Sequence, residues 1–117
     1  MNLGDANTIL ERLKKEEKTL LADLEISLGP AIARAPGSLQ LTEPKKGYKY
    51  LKRVFWTFGR TSSGMSSKSY GRVEKYGEEE IRRALAIDKE LRRVRAKIRT
   101  LERRLTLIQS ASSHPTV

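Results

Sequence analysis

The pattern that most constrains this chain is an apolar repeat near its end. Ile87, Leu91, Val94, Ile98, Leu101, Leu105 and Ile108 recur at alternating intervals of four and three residues. That spacing puts every member on one stripe of an α-helix, as a strand's period of two cannot. It predicts a helix over 78–109, roughly 48 Å long at about 1.5 Å per residue. Glu78, Glu79 and Glu80 crowd its first turn, where carboxylates complement the helix dipole. Residues 110–117, with Pro115, are expected to form a frayed tail.

A second, weaker repeat lies near the start. Leu10, Leu13, Leu20 and Leu24 follow heptad spacing, with Ala6 and Glu17 in the remaining steps. This predicts a helix over 5–28, capped by a Thr8–Glu11 capping box or by Asp5. Gly29 and Pro30 stop it, because glycine accepts a left-handed cap and proline cannot extend a helix upstream. The two apolar stripes suit an antiparallel pair, in which Glu17 either meets a basic partner or faces water. Dimerisation into a four-helix assembly would also bury Leu21, Ile26 and Leu28.

Residues 29–77 differ in kind. Pro30, Pro36, Pro44 and repeated glycines exclude a long helix. Strands are expected at 38–42, 47–58 and 67–76, with a turn at 43–47 and a hairpin loop at 59–66. The fold class is therefore α+β. A long antiparallel helix hairpin, read as a coiled coil, carries a two- or three-stranded antiparallel meander (37–76) inserted between the helices. The chain reads as one domain, 1–117.

Composition localises the chemistry. The net charge is +10. Residues 29–77 hold ten basic and two acidic side chains, residues 78–117 ten and six, and residues 1–28 four and six. All seven aromatic residues lie in the middle segment: Tyr48, Tyr50, Phe55, Trp56, Phe58, Tyr70 and Tyr76. They alternate with Lys45, Lys46, Lys49, Lys52, Arg53, Arg60, Lys68, Arg72 and Lys75. Cations displace counterions from phosphates, and flat rings stack on exposed bases or brace the ribbon that presents the cations. The last helix adds Arg92, Arg95 and Arg99 among eight arginines against two lysines, and arginine forks match phosphate. Some of these arginines are expected in ion pairs along the helix, as in Glu79 with Arg83 and Arg99 with Glu102.

Strand alternation divides the long strand into two faces. Tyr48, Tyr50, Val54, Trp56 and Phe58 share one, and Lys49, Leu51, Arg53, Phe55 and Thr57 share the other. The aromatic face is expected to pack on the helices and the basic face to look outward. On that reading Lys49, Arg53 and the tip from Arg60 to Lys68 make the contact, while Trp56 and its neighbours hold the ribbon. The ordinary alternatives are core packing for the rings and a solvated, aggregation-resistant edge for the lysines.

Other chemistries fit poorly. Residues 59–66 have the glycine spacing of a P-loop, but Met65 stands where the phosphate-binding lysine belongs. The single histidine, His114, has no metal-ligand partner at useful spacing and cannot complete a Ser-His-Asp set. The chain has no cysteine, which excludes disulfides and thiol catalysis. Neither an enzyme nor a cofactor is expected. No apolar run approaches the ~18 residues of a membrane span, and with no secretory signal the chain is expected in the cytoplasm.

Gly37-Ser38-Leu39, then Gly47-Tyr48-Lys49-Tyr50-Leu51, then a basic strand pair running into a long helix, resembles a family of small uncharacterised bacterial proteins often encoded beside mobile elements. The resemblance covers roughly residues 10–105. It implies a nucleic-acid context and no particular activity. That family often carries paired cysteines where this chain has Gln40 to Lys46, without cysteine. The expected function is a non-enzymatic nucleic-acid-binding accessory protein. Its partners would be DNA or RNA, a larger nuclease, transposase or other nucleoprotein, and a second copy of itself. The alternative is a chaperone-like or scaffolding module that docks a protein partner through its helices.

Overall fold

The structure, a computed structural model, describes residues 2–58 and 63–113. Helix α1 (Leu3–Leu28) begins on Asn2, whose side chain accepts the Asp5 N–H at 2.8 Å. Asn2, not Asp5 or Thr8, is therefore the cap. Thr8 lies inside the helix and donates to the Gly4 carbonyl. Gly29 ends α1 at φ +88°, ψ 158°, outside the left-handed helical region but in backbone space that is essentially glycine's alone. Pro30 then opens a one-turn helix, α2 (Pro30–Ala33), which the sequence reading did not foresee.

Three strands follow: β1 (Ser38–Lys45), β2 (Tyr48–Phe58) and β3 (Ser63–Arg72). They form one antiparallel sheet in the order β1-β2-β3. The third strand starts four residues earlier than expected, so Ser63–Ser66 pair with Phe55–Phe58 instead of forming a loop. It ends at Arg72, and residues 73–75 make a 3-10 turn instead of more strand. Helix α3 (Glu78–Ser113) begins where the acidic cluster predicted and continues past residue 109.

The fold is α+β, two long helices and a three-stranded sheet. The helices run antiparallel, since Ala6 near the start of α1 packs with Leu101 and Leu105 near the end of α3, and Leu24 packs with Ile81, Ala84 and Leu91. Halfway along, Arg95 donates from Nε to Glu17 at 3.1 Å. Glu17 thus meets a basic partner across the helix pair. The sheet lies between the helices in chain order, but in space it packs against one end of the pair. Its Leu39 and Leu51 join Leu24, Leu28, Ile32, Ile81 and Leu91 in the main core. Fully burying such side chains contributes about 1.5–3 kcal/mol each before entropy is charged against it. Leu28 is already buried within this chain, while Ile26 is exposed.

The buried stripe of α3 departs from the expected one at its start. Ile81, Ala84, Asp88, Leu91, Val94, Ile98, Leu101 and Leu105 are buried, whereas Ile87 is half-buried and Ile108 exposed. An acid therefore occupies a core position. On the helix surface, Arg83 pairs with Glu80 and Arg82 with Glu78, in place of the expected Glu79–Arg83 pair.

Candidate nucleic-acid interface

The central question for any interface on this sheet is which side the helices cover. Leu51 and Arg53 on β2 are buried, as is Leu39 on β1, so their face is the covered one. Tyr48, Tyr50, Lys52, Val54 and Trp56 alternate with them and point away. The expected assignment of faces is reversed. The aromatic side is open, with Trp56 49% and Tyr48 39% exposed.

Arg53 shows why. Its guanidinium carries five N–H groups in a rigid fork, and the structure gives it five acceptor contacts. Nε donates to the Ile32 carbonyl (3.1 Å), Nη1 to the Gly37 carbonyl (3.0 Å) and to Asp88 Oδ1 (2.6 Å), and Nη2 to the carbonyls of Ile32 (2.9 Å) and Ala33 (3.1 Å). Two of those carbonyls close the C-terminal end of α2, where the Ile32 carbonyl also accepts the Ala35 N–H at 3.3 Å. Asp88 Oδ2 accepts the Leu39 N–H at 3.0 Å and Arg92 Nε at 3.1 Å. Arg53 is thus a buried clasp between α2, the sheet and α3. Its donors are committed inside the fold, so it is withdrawn from the phosphate-contacting set.

Two β-bulges shape the open face. On β1, Thr42 pairs with Tyr50 and Lys45 with Tyr48, so Glu43 and Pro44 oppose Lys49 alone. Proline, with no N–H, fits a bulge on an edge strand. The extra residue shifts the alternation and turns Lys45 onto the same side as Tyr48. On β3, Gly71 pairs with Leu51 and Ser69 with Lys52, leaving Tyr70 as the extra residue. That bulge turns Arg72, opposite Tyr50, onto the open side as well. Both cations converge on one ring: Arg72 Cζ lies 4.6 Å and Lys45 Nζ 5.5 Å from the centroid of Tyr48. Such contacts contribute about 0.5–1 kcal/mol at exposed sites.

The open face therefore carries Lys45, Lys52 and Arg72 with Tyr48, Tyr50, Trp56 and Met65. Gln40 and Thr42 flank the row on β1, and Ser67 and Ser69 on β3. The other predicted cations are dispersed. Lys46 sits exposed in the β1–β2 turn. Lys49 lies on the helix side, in a groove it lines with Leu41, Glu74, Glu78 and Ile81. Lys68, opposite Arg53 in register, is exposed with its Nζ 5.7 Å from the Tyr70 ring. Lys75 follows β3, with its Nζ 5.9 Å from the Tyr76 ring. Arg60 lies outside the described residues.

Arg92, Arg95 and Arg99 do come together. With Lys14 of α1 they line a groove that also includes Gly37, Ser38 and Glu102. Arg92 and Arg95 are anchored through Nε, to Asp88 and Glu17 respectively, which holds their forks in place. Ser38 belongs to both surfaces. It lines this groove, and on the open side of β1 its Oγ accepts Gln40 Nε2 at 2.9 Å. The basic sheet face and the arginine groove meet there. Lys14 was absent from the sequence-based set; its place one helical turn before Glu17 on α1 was the available signal. Asp88 was missed too, although its position in the apolar stripe of α3 could have revealed it.

Among the described residues no group of three His, Cys, Asp or Glu side chains is placed to hold a metal ion, and no helix is long and apolar enough to cross a membrane. Compared with known proteins, the chain matches no family model, no curated protein and no solved structure.

Proposed function

We propose that this protein is a non-enzymatic nucleic-acid-binding accessory protein that holds a phosphate backbone on the open face of its sheet and in the arginine groove of α3. One observation carries the reading. Two separate bulges turn Lys45 and Arg72 onto the same exposed ring, on the face the helices leave uncovered. The β3 bulge also sets the Tyr70 ring against the core, and both bulges turn a cation outward onto the open face. The concentration of positive charge in residues 29–77 supports the same reading, as does the resemblance to mobile-element-associated proteins. The heptad spacing supports a coiled-coil role for the helix pair, as the stalk of the binding face.

The test compares two triple variants by fluorescence anisotropy over a salt series. Lys45→Glu, Lys52→Glu and Arg72→Glu together reverse the open face. Lys49→Glu, Lys68→Glu and Lys75→Glu together reverse equal charge elsewhere on the β element. The first set is expected to weaken binding to DNA or RNA and to flatten the log affinity–log salt slope by about 2–3, since each lost phosphate contact removes about 0.7–0.9. The second set is expected to do much less. Equal losses would overturn the assignment of the face, and no binding at low salt would overturn the function.

A second reading, protein docking through the helices, is favoured by Leu107 and Ile108, which are exposed near the far end of α3. It predicts a salt-insensitive protein complex and a purified protein free of nucleic-acid absorbance.

A further inference from the structure

We infer that the open sheet face takes a single strand of nucleic acid, with a base stacked on Trp56 and the backbone held at the Tyr48 end. This rests on the nucleic-acid reading above and specifies its substrate. Trp56, 49% exposed, pairs across the strands with Met65, 63% exposed. A large ring and a thioether side by side on an open surface gain little from a duplex, which presents phosphates outward and keeps its base faces stacked inside. A single strand offers those faces, and stacking on an aromatic ring tolerates any base because every base has a π-face.

The row is ordered for such a strand. Tyr48 and Trp56 lie eight residues apart on the same side of β2, about 27 Å at ~3.4 Å per residue. Lys45 and Arg72 sit at the first end, Lys52 halfway, and Trp56 with Met65 at the second. Among the described residues, cations thus occupy one end and the middle, and the exposed apolar pair the other end. The span suits on the order of four nucleotides, the small end of the range for β-sheet platforms. The residues flanking the row, Gln40, Thr42, Ser67 and Ser69, are short or polar. They offer hydrogen bonds to sugar or base edges. Arg72, its Cζ 4.6 Å from the centroid of the Tyr48 ring, offers a second group on which a base can stack.

Trp56 is the sole tryptophan, so the full chain carries its own probe. The experiment titrates the protein with a short oligothymidylate and, separately, with the same oligomer in duplex with oligoadenylate, at one low salt concentration. The expected result is quenching of Trp56 fluorescence by the single strand and binding about ten-fold tighter than the duplex. In anisotropy with labelled oligomers, Trp56→Ala should cost about ten-fold in single-strand affinity and leave duplex affinity unchanged. Trp56→Phe should restore most of that loss, and circular dichroism should show the helices intact in both variants. Duplex binding as tight as single-strand binding, or an unchanged affinity in Trp56→Ala, would overturn the stacking proposal while leaving phosphate binding standing. Binding of neither oligomer would overturn both.

Discussion

Nη1 of Arg53 donates to Oδ1 of Asp88 at 2.6 Å, and both side chains are only 2% exposed. The pair joins the middle of β2 to the first third of α3 and so sets how the sheet sits on the helices. A buried pair of this kind is not a large net source of stability, because desolvation offsets much of the attraction. Its value lies in how costly it is to break.

Asp88→Ala leaves the Arg53 guanidinium charged, buried and short of a partner. The variant is expected to lose about 3–5 kcal/mol in urea denaturation, enough to threaten folding of a small domain. Arg53→Lys should also lose stability, because a lysine cannot supply the five-donor fork. The double variant Arg53→Met with Asp88→Leu should be more stable than either single loss. If Asp88→Ala costs less than about 1 kcal/mol, the clasp does not hold the sheet as described.

Gly37 makes an independent test of the same junction. It sits at φ +92°, and a Cβ there would come within 2.2 Å of the Val54 carbonyl oxygen. Gly37→Ala must therefore push β2 away from the start of β1 and disturb the carbonyl that Arg53 Nη1 uses. A loss of about 2–3 kcal/mol is expected from backbone strain and displacement together, read as a lower midpoint in thermal unfolding. Gly47→Ala, where nothing lies within 4 Å, should show only the strain of a positive φ.

The Glu17–Arg95 pair is only partly covered, with side chains 33% and 41% exposed. Glu17→Gln should change stability by less than about 1 kcal/mol, as partly solvated pairs do. Its larger effect should be on helix alignment. Glu17→Leu would remove the one polar position from the α1 stripe, and sedimentation should then show more self-association than in the wild type.

The arginine groove can be separated from the sheet face. Arg99 lines the groove beside Lys14 and is exposed. Arg99→Gln is expected to weaken nucleic-acid binding modestly and to reduce the salt slope by less than about 1, with no change in unfolding midpoint. Arg92 is unsuited to this test, because its bond to Asp88 ties it to the clasp.

Much was legible in the residues themselves. The four-and-three spacing of α3, the stop at Gly29 and Pro30, the α+β class and the crowding of charge and rings into residues 29–77 follow from local rules of periodicity, backbone freedom and composition. These depend on near neighbours in the chain, which the sequence displays. The open face of β2 did not follow. A strand alternates with a period of two, and when each face mixes apolar and polar residues the pattern cannot say which is buried. Burial went to Leu51 and Arg53 because a buried acid thirty-five residues away, at Asp88, matches the Arg53 fork, and because Leu39 packs with Leu51 in the core. The two bulges that bring Lys45 and Arg72 to Tyr48 are likewise matters of pairing register, decided between strands. The sequence alone thus determined which segment carries the basic and aromatic residues, and only the tertiary structure decided that the rings are exposed and that Arg53 is not.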